Sequence, residues 1–435
     1  MNDSEMIRKL NGAMRFFLYL LIFWLPYSKA VVESSVVLAL VLWILKRALL
    51  TRWFLHEHAG TQVNNRALLK IWAPANSFLN GPIAVFLILG LISIVTSVSV
   101  LQSIHGYLTK TLEWFVIYFL IIEVFTEKKH IWTAFGIFLF TSFSTVLDSL
   151  QQFYWTHKDI FLGYVVKDNR ATGGFNHANN LAGYLTFVVP IAMTLLFWKK
   201  NSIWKFLLGL GLTILNLWSL LVTFSRGAWL AVVAGCFFFL CFVCFIKKSL
   251  WYFIFLGLMI FIFWTGILFT SGKKEFRLDA PDVQVTLNWR STLWQDSLRM
   301  ILERPNFGYG PNTFMSTFVD FGRAIRGRDY YKPTYAHNCF IQLAAEMGFW
   351  GLAIFIWILG SLFLKIIGQS RSKEAVDDNL KMFSASMLGG TVAFLGHSFV
   401  DTNLSSLQLS ALFWFMIGLQ AAVYNYQIRF SKQPE

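Results

Sequence analysis

A histidine placed directly before a long apolar segment is the first candidate for chemistry in this sequence. His337 and Asn338 stand in the stretch KPTYAHNCFIQLAAEMGFWG, residues 332–351, which begins polar and then becomes apolar. The pattern predicts that His337 lies where water meets lipid, at the end of a membrane-spanning helix. An imidazole in that position can accept a proton near neutral pH while it faces a lipid-borne substrate. Most interfacial histidines only donate or accept hydrogen bonds, so the case depends on the polar residues upstream.

Three arginines precede His337 in short polar stretches. Arg170 begins RATGGFNHANNLAGY, Arg226 lies in TFSRGAW between two apolar runs, and Arg290 stands in NWR at the start of a predicted amphipathic helix. An arginine at a membrane boundary is unfavourable unless it pairs with an anion from the protein or a ligand, and for Arg226 we favour a ligand. A cation at a helix N-terminus opposes the helix dipole, and a phosphate bound near Arg290 would resolve that conflict. These stretches predict an anionic ligand.

Further polar side chains belong to the same candidate site. Asn176 and Asn179 follow a glycine pair and supply donors and acceptors for sugar hydroxyls. The alternative is that this loop only caps a helix, and both interpretations stay open. Asp401 follows His397 and begins the turn DTNLS, where it can orient an arginine or an imidazole. The Asp-Thr-Asn sequence is also ordinary turn and capping chemistry, which is the favoured interpretation.

Several arginines, one histidine and no metal-binding motif fit a lipid diphosphate donor. The sequence has no Walker loop, Rossmann glycine pattern or cysteine-histidine metal cluster. Arginine binds phosphate oxygens bidentately and stabilises the charge on a departing diphosphate. A single base with no carboxylate nucleophile predicts one displacement, with inversion at the anomeric carbon. We therefore predict a glycosyl transfer that uses no metal, nucleotide or other cofactor.

The composition is that of a polytopic helical membrane protein. Of 435 residues, 56% are hydrophobic and only 14% are charged, which excludes an ordinary soluble domain. The net charge is +14, but the basic residues lie between apolar runs. That distribution indicates membrane topology and not nucleic-acid binding. The four cysteines form no disulfide framework and are interpreted as small apolar residues.

Apolar runs long enough to cross a bilayer predict about twelve transmembrane helices. Basic loops between alternate runs predict that both ends of the chain are cytoplasmic. The first run is interpreted as a retained span, because Lys29 stands where cleavage of a signal peptide needs a small residue. The predicted runs lie near residues 14–28, 31–50, 82–100, 112–125, 131–150, 181–198, 204–223, 227–246, 249–270, 340–364, 382–400 and 406–425.

A long polar segment over residues 271–339 is predicted to lie outside, despite its arginines. It divides the chain into nine spans over residues 1–270, this outer catalytic loop, and three spans with a cytoplasmic tail over 340–435. Within the loop, Asn288–Arg304 is predicted to form an amphipathic helix that lies on the membrane surface and ends at Pro305. Its predicted apolar side consists of Leu293, Trp294, Leu298, Ile301 and Leu302.

In this order and on this frame, the motifs resemble those of the O-antigen ligase and polymerase superfamily of bacterial inner-membrane glycan transferases. The chain looks most like an O-antigen ligase, and the resemblance extends from about residue 80 to residue 405. It implies an all-α, GT-C-like membrane fold with amphipathic helices in the periplasmic loop. Four places carry it: the Arg170–Ala182 loop, the Ser225-Arg226-Gly227 turn, the block from Arg290 through Gly308-Tyr309-Gly310, and His337-Asn338 followed by Glu346-Met347-Gly348.

The resemblance also implies an activity and roles for the residues. His337 is expected to be the base on the acceptor, and Arg170, Arg226 and Arg290 are expected to bind undecaprenyl diphosphate. The implied reaction moves a preassembled glycan to a sugar hydroxyl of lipid A-core, on the periplasmic side of a Gram-negative inner membrane. Its partners would be the lipid-linked donor, the acceptor and the bilayer. The residues expected to support the base or bind the acceptor are Asn338, Asn176, Asn179, Tyr309 and Asp401.

Three other functions remain as alternatives. An O-antigen polymerase would add the same donor to another lipid-linked glycan. A protein O-oligosaccharyltransferase would use a serine or threonine acceptor, and the short segment after the last apolar run argues against it. A transporter would place polar groups near the bilayer midplane on broken helices, whereas here the polar clusters gather at one face. Transport is therefore ranked below glycan transfer.

Overall fold

The computed structural model describes most of the chain. The described residues are 3–58, 65–163, 165–166, 169–198, 202–247, 281–327, 334–371 and 377–431, with isolated positions between 254 and 265. The described residues are 82% helical, and no β-strand occurs among them. An isolated antiparallel bridge joins Lys158 and Val165. The predicted all-α class is confirmed.

The helices of the described ranges are numbered here in chain order. They are α1 Asp3–Trp24, α2 Lys29–Glu57, α3 Asn65–Trp72, α4 Asn80–Val95, α5 Val100–Gly106, α6 Glu113–Val124, α7 Lys128–Gln151, α8 Ala178–Ala192, α9 Ile203–Val222, α10 Arg226–Lys247, α11 Pro281–Glu303, α12 Phe314–Arg326, α13 Cys339–Arg371, α14 Asp378–His397 and α15 Leu407–Ser431. Short π-helical segments follow α5 and α7, at Tyr107–Leu112 and Gln152–Thr156. Short 3-10 segments occur at Met193–Phe197 and Asn403–Ser405.

Seven helices in the described ranges are long and apolar enough to cross a membrane. Each coincides with one of the apolar runs of the sequence. They cover Lys29–Glu57, Lys128–Thr156, Ala178–Phe197, Ile203–Val222, Arg226–Ile246, Cys339–Ser370 and Leu407–Arg429.

The other five predicted spans are not confirmed. The runs near 14–28, 82–100, 112–125 and 382–400 correspond to α1, α4, α6 and α14, which fall short of the length or apolar content of the seven. Helix α4 is apolar but has only 16 residues. The run at 249–270 lies mostly outside the described residues. The twelve-span count therefore stays a prediction.

Small residues allow α10 and α14 to approach each other closely. A Cβ atom added to Gly235 of α10 would overlap the carbonyl oxygen of Gly389 in α14, and one added to Gly227 would overlap the Val400 side chain. Membrane helices commonly pack through small residues, because lipid offers no hydrophobic drive to association and backbone contact takes its place. The close approach brings the first residues of α10, including Arg226, beside the C-terminal end of α14.

Helix α13 is broken at Gly348, whose φ of 72° and ψ of −176° are not helical. The break exposes carbonyl oxygens that the loop between α11 and α12 satisfies. The amide of Tyr309 donates to Ala345 O and that of Gly310 to Glu346 O, each at 2.9 Å. The Phe349 amide donates to Pro305 O at 2.7 Å. Irregular backbone at membrane depth is tolerated only where protein groups satisfy it, and this loop meets that condition.

Helix α11 confirms the predicted amphipathic helix but differs from it in two respects. It begins at Pro281 and not at Asn288, so Arg290 lies well inside the helix. Arg290 therefore does not oppose the dipole at a helix N-terminus, and that prediction is wrong. The predicted apolar side is also only partly right, since Leu298 and Leu302 are 51% and 69% exposed. The residues of the buried side are Leu293, Asp296, Ser297, Met300 and Ile301.

We expect Gly348→Ala to destabilise the protein. An alanine Cβ would overlap the Asn306 carbonyl, and a φ of 72° is strained for any residue with a Cβ atom. The backbone strain alone costs on the order of 1–3 kcal/mol. Thermal unfolding of the purified protein in detergent should show a lower midpoint. Gly360→Ala in the same helix is the control, because its Cβ would meet nothing within 4 Å. Equal midpoints for Gly348→Ala and wild type would contradict this account of the break.

Candidate functional site

Polar residues from distant parts of the chain converge on the carboxylate of Asp401, in the turn between α14 and α15. Asn179 Nδ2 donates a hydrogen bond to Asp401 Oδ2 at 2.6 Å. The Thr402 amide donates to Oδ1 at 2.8 Å. His337 Nδ1 lies 3.7 Å from Oδ1, within ion-pair distance but beyond hydrogen-bond distance. The Asp401 side chain is only 15% exposed, so its charge depends on these neighbours.

Arg170 is linked to this carboxylate through Asn179. Its Nη2 donates to Asn179 Oδ1 at 2.5 Å, and its Nε donates to the Thr223 carbonyl oxygen at 2.7 Å. The Ala171 amide also donates to Val222 O, at 3.0 Å. These bonds attach the loop before α8 to the turn between α9 and α10. Arg170, Asn179 and Asp401 thus form one charged hydrogen-bonded series.

The loop before α8 caps the helix, as one of the two interpretations expected. His177 is the N-cap residue, and its Nδ1 accepts from the Asn179 amide at 3.1 Å. Asn180 Nδ2 donates to Asn176 Oδ1 at 2.9 Å, where Asn176 is exposed and Asn180 is half-buried. Within the described contacts, Asn179 reaches Asp401 and Asn176 does not. Sugar binding by Asn176 and Asn179 stays a prediction.

His337 and Asn338 shape the entry to α13. His337 has a φ of 48°, a left-handed conformation that is uncommon outside glycine. Asn338 Oδ1 accepts from the Phe340 and Ile341 amides at 2.9 and 3.0 Å, which is an N-cap geometry. The role that the structure shows for Asn338 is therefore capping. Non-glycine residues with positive φ cluster at functional sites. The Asn338 cap next to His337 holds it in this left-handed conformation.

Helix α11 covers the other side of the His337 ring. The rings of Trp289 and His337 meet edge to face, with centroids 5.5 Å apart. Trp294 Nε1 donates to the Ala336 carbonyl oxygen at 2.9 Å, which attaches the segment before His337 to the helix. The imidazole remains 29% exposed. It is therefore oriented by protein on two sides and open to a ligand.

A second imidazole lies beneath the cluster and was not among the predicted site residues. His397 is 1% exposed, its Nε2 lies 3.3 Å from Ser225 Oγ, and its Nδ1 lies 3.1 Å from Asn403 Nδ2. The Asp401 amide donates to the His397 carbonyl oxygen at 3.0 Å. His397 thus joins the turn before α10 to the turn that carries Asp401. Its position four residues before Asp401 in sequence, at the end of an apolar run, was the available signal.

Arg226 and Arg290 also lie at this end of the molecule. Arg226 is the first residue of α10 and follows Ser225, which contacts His397. The guanidinium groups of Arg290 and Arg170 are near enough to the His397 ring to act on it electrostatically. Arg290 is partly exposed, and its side chain makes no hydrogen bond or ion pair to any other described residue. Among the three predicted arginines, Arg290 is thus the best placed to receive an anion.

Tyr309 is the predicted site residue that lies apart from the cluster. Its hydroxyl donates to Glu303 Oε2 at 2.9 Å, and the Arg304 guanidinium lies 5.0 Å from its ring centroid. Burial, together with the Glu303 carboxylate, raises the pKa of Tyr309 to about 12. Within the described contacts it does not touch His337 or Asp401. Its predicted role in acceptor binding has no geometric support.

The electrostatics of the cluster favour an ionised Asp401. Burial alone would raise the pKa of its carboxyl, but the His337 imidazole, the charge of His397 and the Thr402 amide outweigh burial. Together they hold the pKa of Asp401 well below its usual range. A carboxylate that stays charged beside an imidazole stabilises the imidazolium form. This arrangement suits a histidine that takes up a proton.

The donor set of the site suits an anionic or hydroxyl-bearing ligand. It consists of an imidazole, a carboxylate, an amide and guanidinium groups. No group of three or more histidine, cysteine, aspartate or glutamate side chains in the described ranges is arranged to hold a metal ion.

A comparison with protein families finds a match to the middle of the chain. Residues 211–356 match the family described as O-antigen ligase. This match covers about a third of the chain and is consistent with the O-antigen ligase and polymerase superfamily. It contains Arg226, Arg290 and His337, whereas Arg170 and Asp401 lie outside it. The match and the seven apolar helices indicate a multi-pass membrane protein and support glycan transfer of ligase or polymerase type. A comparison with curated proteins finds no match.

We expect Asp401→Asn to lower the thermal unfolding midpoint at pH 7, and the difference from wild type to shrink below about pH 4. A carboxylate with a lowered folded-state pKa stabilises the protein above its unfolded pKa of about 3.9. That stabilisation is lost as the pH falls through the folded value. Asp320→Asn is the control, since the Asp320 side chain is 76% exposed, and it should match wild type throughout. A difference between Asp401→Asn and wild type that stays constant down to pH 3 would contradict this view of Asp401.

Proposed function

We propose that this protein is an O-antigen ligase. It transfers a preassembled glycan from undecaprenyl diphosphate to a sugar hydroxyl of lipid A-core, at the periplasmic face of a bacterial inner membrane. The observation that carries the proposal is the convergence of His337 and Asn179 on Asp401, with Arg170 bonded to Asn179. This cluster belongs to a chain whose middle segment matches the O-antigen ligase family. The seven apolar helices supply the membrane setting that both lipid-linked substrates require.

His337 is the base in this proposal. Its Nδ1 faces the Asp401 carboxylate, which favours the tautomer that carries the proton on Nδ1. The Nε2 atom then accepts the proton of the acceptor hydroxyl. The 3.7 Å separation of Nδ1 and Oδ1 would shorten as substrates bind, because catalytic hydrogen bonds commonly tighten in the substrate complex.

The diphosphate is bound by arginine in this proposal. Arg290 receives the phosphate oxygens bidentately, since its guanidinium group has no hydrogen bond or ion pair within the described ranges. Arg226 adds positive charge at the start of α10. Arg170 already donates through Nε and Nη2, so its main role here is to hold Asn179 against Asp401.

The reaction is a single displacement. The acceptor oxygen forms a bond to the anomeric carbon of the donor glycan while the bond from that carbon to the diphosphate oxygen breaks. The acceptor proton passes to His337 Nε2, and undecaprenyl diphosphate leaves with the electron pair. The arginines stabilise its growing negative charge. Attack opposite the leaving group inverts the anomeric configuration.

The proposal includes the predicted topology. Both ends of the chain are cytoplasmic, and twelve spans place residues 271–339 on the periplasmic side between spans nine and ten. The basic loops between alternate apolar runs support this arrangement. The turn that carries Asp401 and the segment that carries His337 then face the periplasm together.

Glycan transfer by the purified protein tests the proposal. The assay supplies undecaprenyl-diphosphate glycan and lipid A-core in detergent with EDTA present. Wild type should form glycosylated lipid A-core, and His337→Ala should lose at least 100-fold in rate, since general base catalysis contributes about 10²–10⁴-fold. Transfer that survives His337→Ala undiminished would remove His337 as the base.

Other acceptors in the same assay separate the alternatives. Glycan chains that lengthen on the lipid carrier would make the protein a polymerase. Transfer to a pilin-like peptide would make it a protein O-oligosaccharyltransferase. The absence of any transfer, with movement of the lipid-linked glycan across liposomes instead, would favour transport.

We expect Arg290→Lys to raise the KM for the lipid diphosphate by about tenfold or more, with the KM for lipid A-core unchanged. Lysine keeps the charge but cannot bind two phosphate oxygens in a planar fork. The matched control is Arg299→Lys in the same helix, whose side chain is 61% exposed and pairs with Asp296. Steady-state kinetics with varied donor measure the effect. An unchanged donor KM in Arg290→Lys would exclude Arg290 from the diphosphate site.

A further inference from the structure

A cavity of about 130 Å³ lies beside the Asp401 turn, among α4, the segment from α5 to α6, α13 and α15. Its lining includes the polar residues Lys110, Gln342 and Ser405 and the aromatic residues Trp114 and Trp414. Since a water molecule takes about 30 Å³ in the liquid, the space holds about four waters or one ring-sized group. None of these five residues belongs to the site described above.

One polar atom in this cavity lacks a partner. The Gln342 side chain is 7% exposed, and its Nε2 donates to Ser405 Oγ at 3.1 Å and to Glu346 Oε1 at 3.3 Å. Its Oε1 is buried and accepts no hydrogen bond in the described ranges. A buried amide oxygen without a donor is unfavourable by about 1–3 kcal/mol. The atom therefore points to a ligand that donates a hydrogen bond.

The neighbouring polar groups complement a hydroxyl-bearing ligand. Ser405 Oγ accepts from Gln342 and has a hydrogen to donate, and Lys110 Nζ donates to Asn312 Oδ1 at 2.8 Å with further donors on the same ammonium. The charge of Lys110 lies near the Glu346 carboxylate, which also accepts from the Asn312 amide at 2.9 Å. The two charges offset each other, so the cavity does not select an anion. Donors and acceptors without net charge match a group that both donates and accepts.

The aromatic lining narrows the class of ligand to a sugar ring. Trp114 and Trp414 are almost fully buried and line the same cavity. Indole rings offer large apolar faces, against which the C–H face of a pyranose packs. A ring that presents hydroxyls to Gln342 and Ser405 and its apolar face to the tryptophans satisfies both halves of the lining. A purely apolar lipid chain would leave Gln342 Oε1 unsatisfied.

The cavity adjoins the candidate catalytic cluster. Cys339 lines it, and the Cys339 thiol donates to the Asp401 carbonyl oxygen at 3.5 Å. The Leu404 amide donates back to Cys339 Sγ at 3.4 Å. The cavity and the carboxylate of Asp401 thus share one turn of the chain. The arginines that we assign to the diphosphate, Arg226 and Arg290, belong to α10 and α11 and do not line this cavity.

We propose that this cavity is a saccharide subsite that binds one neutral sugar ring through Gln342, Lys110 and Ser405. The inference rests on the proposed function for the source of the sugar, which is a glycan substrate of the same reaction. The ring belongs either to the acceptor or to the transferred glycan, and kinetics distinguish the two sources.

Direct binding tests the subsite without any transfer. Saturation-transfer NMR uses the full-length protein in a detergent without a sugar headgroup, with lipid-free neutral core oligosaccharide and lipid-free repeat-unit glycan as separate probes. Gln342→Leu should weaken binding of one probe by about three- to tenfold, the effect of one lost hydrogen bond. Ser405→Ala, a smaller change to the same cavity, should weaken it in the same direction. Gln369→Leu is the matched control, because Gln369 lies near the other end of α13 and donates to Tyr424 O.

The outcomes separate the subsite from the proposed function. Binding that is weakened three- to tenfold in Gln342→Leu but unchanged in His337→Ala supports the subsite, even if no transfer occurs. If Gln342→Leu raises the KM for lipid A-core, the ring belongs to the acceptor. If it raises the KM for the lipid-linked glycan, the ring belongs to the donor. Equal binding of both probes by wild type, Gln342→Leu and Ser405→Ala overturns the subsite. Displacement of bound probe by a sugar-free polyprenol, with no effect of Gln342→Leu, shows a lipid-tail groove and also overturns it.

Discussion

The buried carboxylate of Asp401 is the interaction on which the candidate site depends. A charged group with little exposure is stable only when hydrogen bonds and opposite charge compensate its lost hydration. Here the compensation comes from the Asn179 side chain, from the backbone amide of Thr402, which follows Asp401, and from the imidazole of His337. These partners bring the loop before α8 and the entry to α13 to the turn before α15. The same need for partners that stabilises Asp401 therefore assembles the groups that the proposed chemistry requires.

Two backbone features allow this assembly. Small residues let α10 meet α14, so that Ser225 reaches His397. The break in α13 at Gly348 accepts the loop after α11, which anchors that helix over His337. Broken helices also occur in transporters, where the freed backbone binds substrate near the midplane. In this protein the freed carbonyls of α13 bind amides of its own loop, so the break serves packing.

Much of this arrangement was predictable from the sequence, and the remainder depends on long-range contacts. Polar residues at the ends of apolar runs predicted Arg170, Asn179 and His337 as site residues, because the two faces of a membrane protein collect such groups. For Asp401 the sequence favoured ordinary turn and capping chemistry. The periodicity of α11 located the helix but not its start at Pro281, and it did not distinguish residues packed on protein from the exposed Leu298. His397 looked like the end of an apolar run, and Tyr309 looked like a site residue. Only the tertiary packing shows that His397 contacts the cluster and that Tyr309 lies apart from it.

Determination of the structure with undecaprenyl diphosphate bound tests the central claim most directly, namely that the cluster around Asp401 is the site of transfer. Cryo-electron microscopy of the full-length protein in nanodiscs with this lipid would locate the diphosphate. We expect phosphate density within hydrogen-bond distance of Arg290, on the side of the cluster where His337 Nε2 faces the lipid headgroup. Density at a distant basic group, such as Lys46 and Arg47 beside Glu123, with none near Arg290, would contradict it.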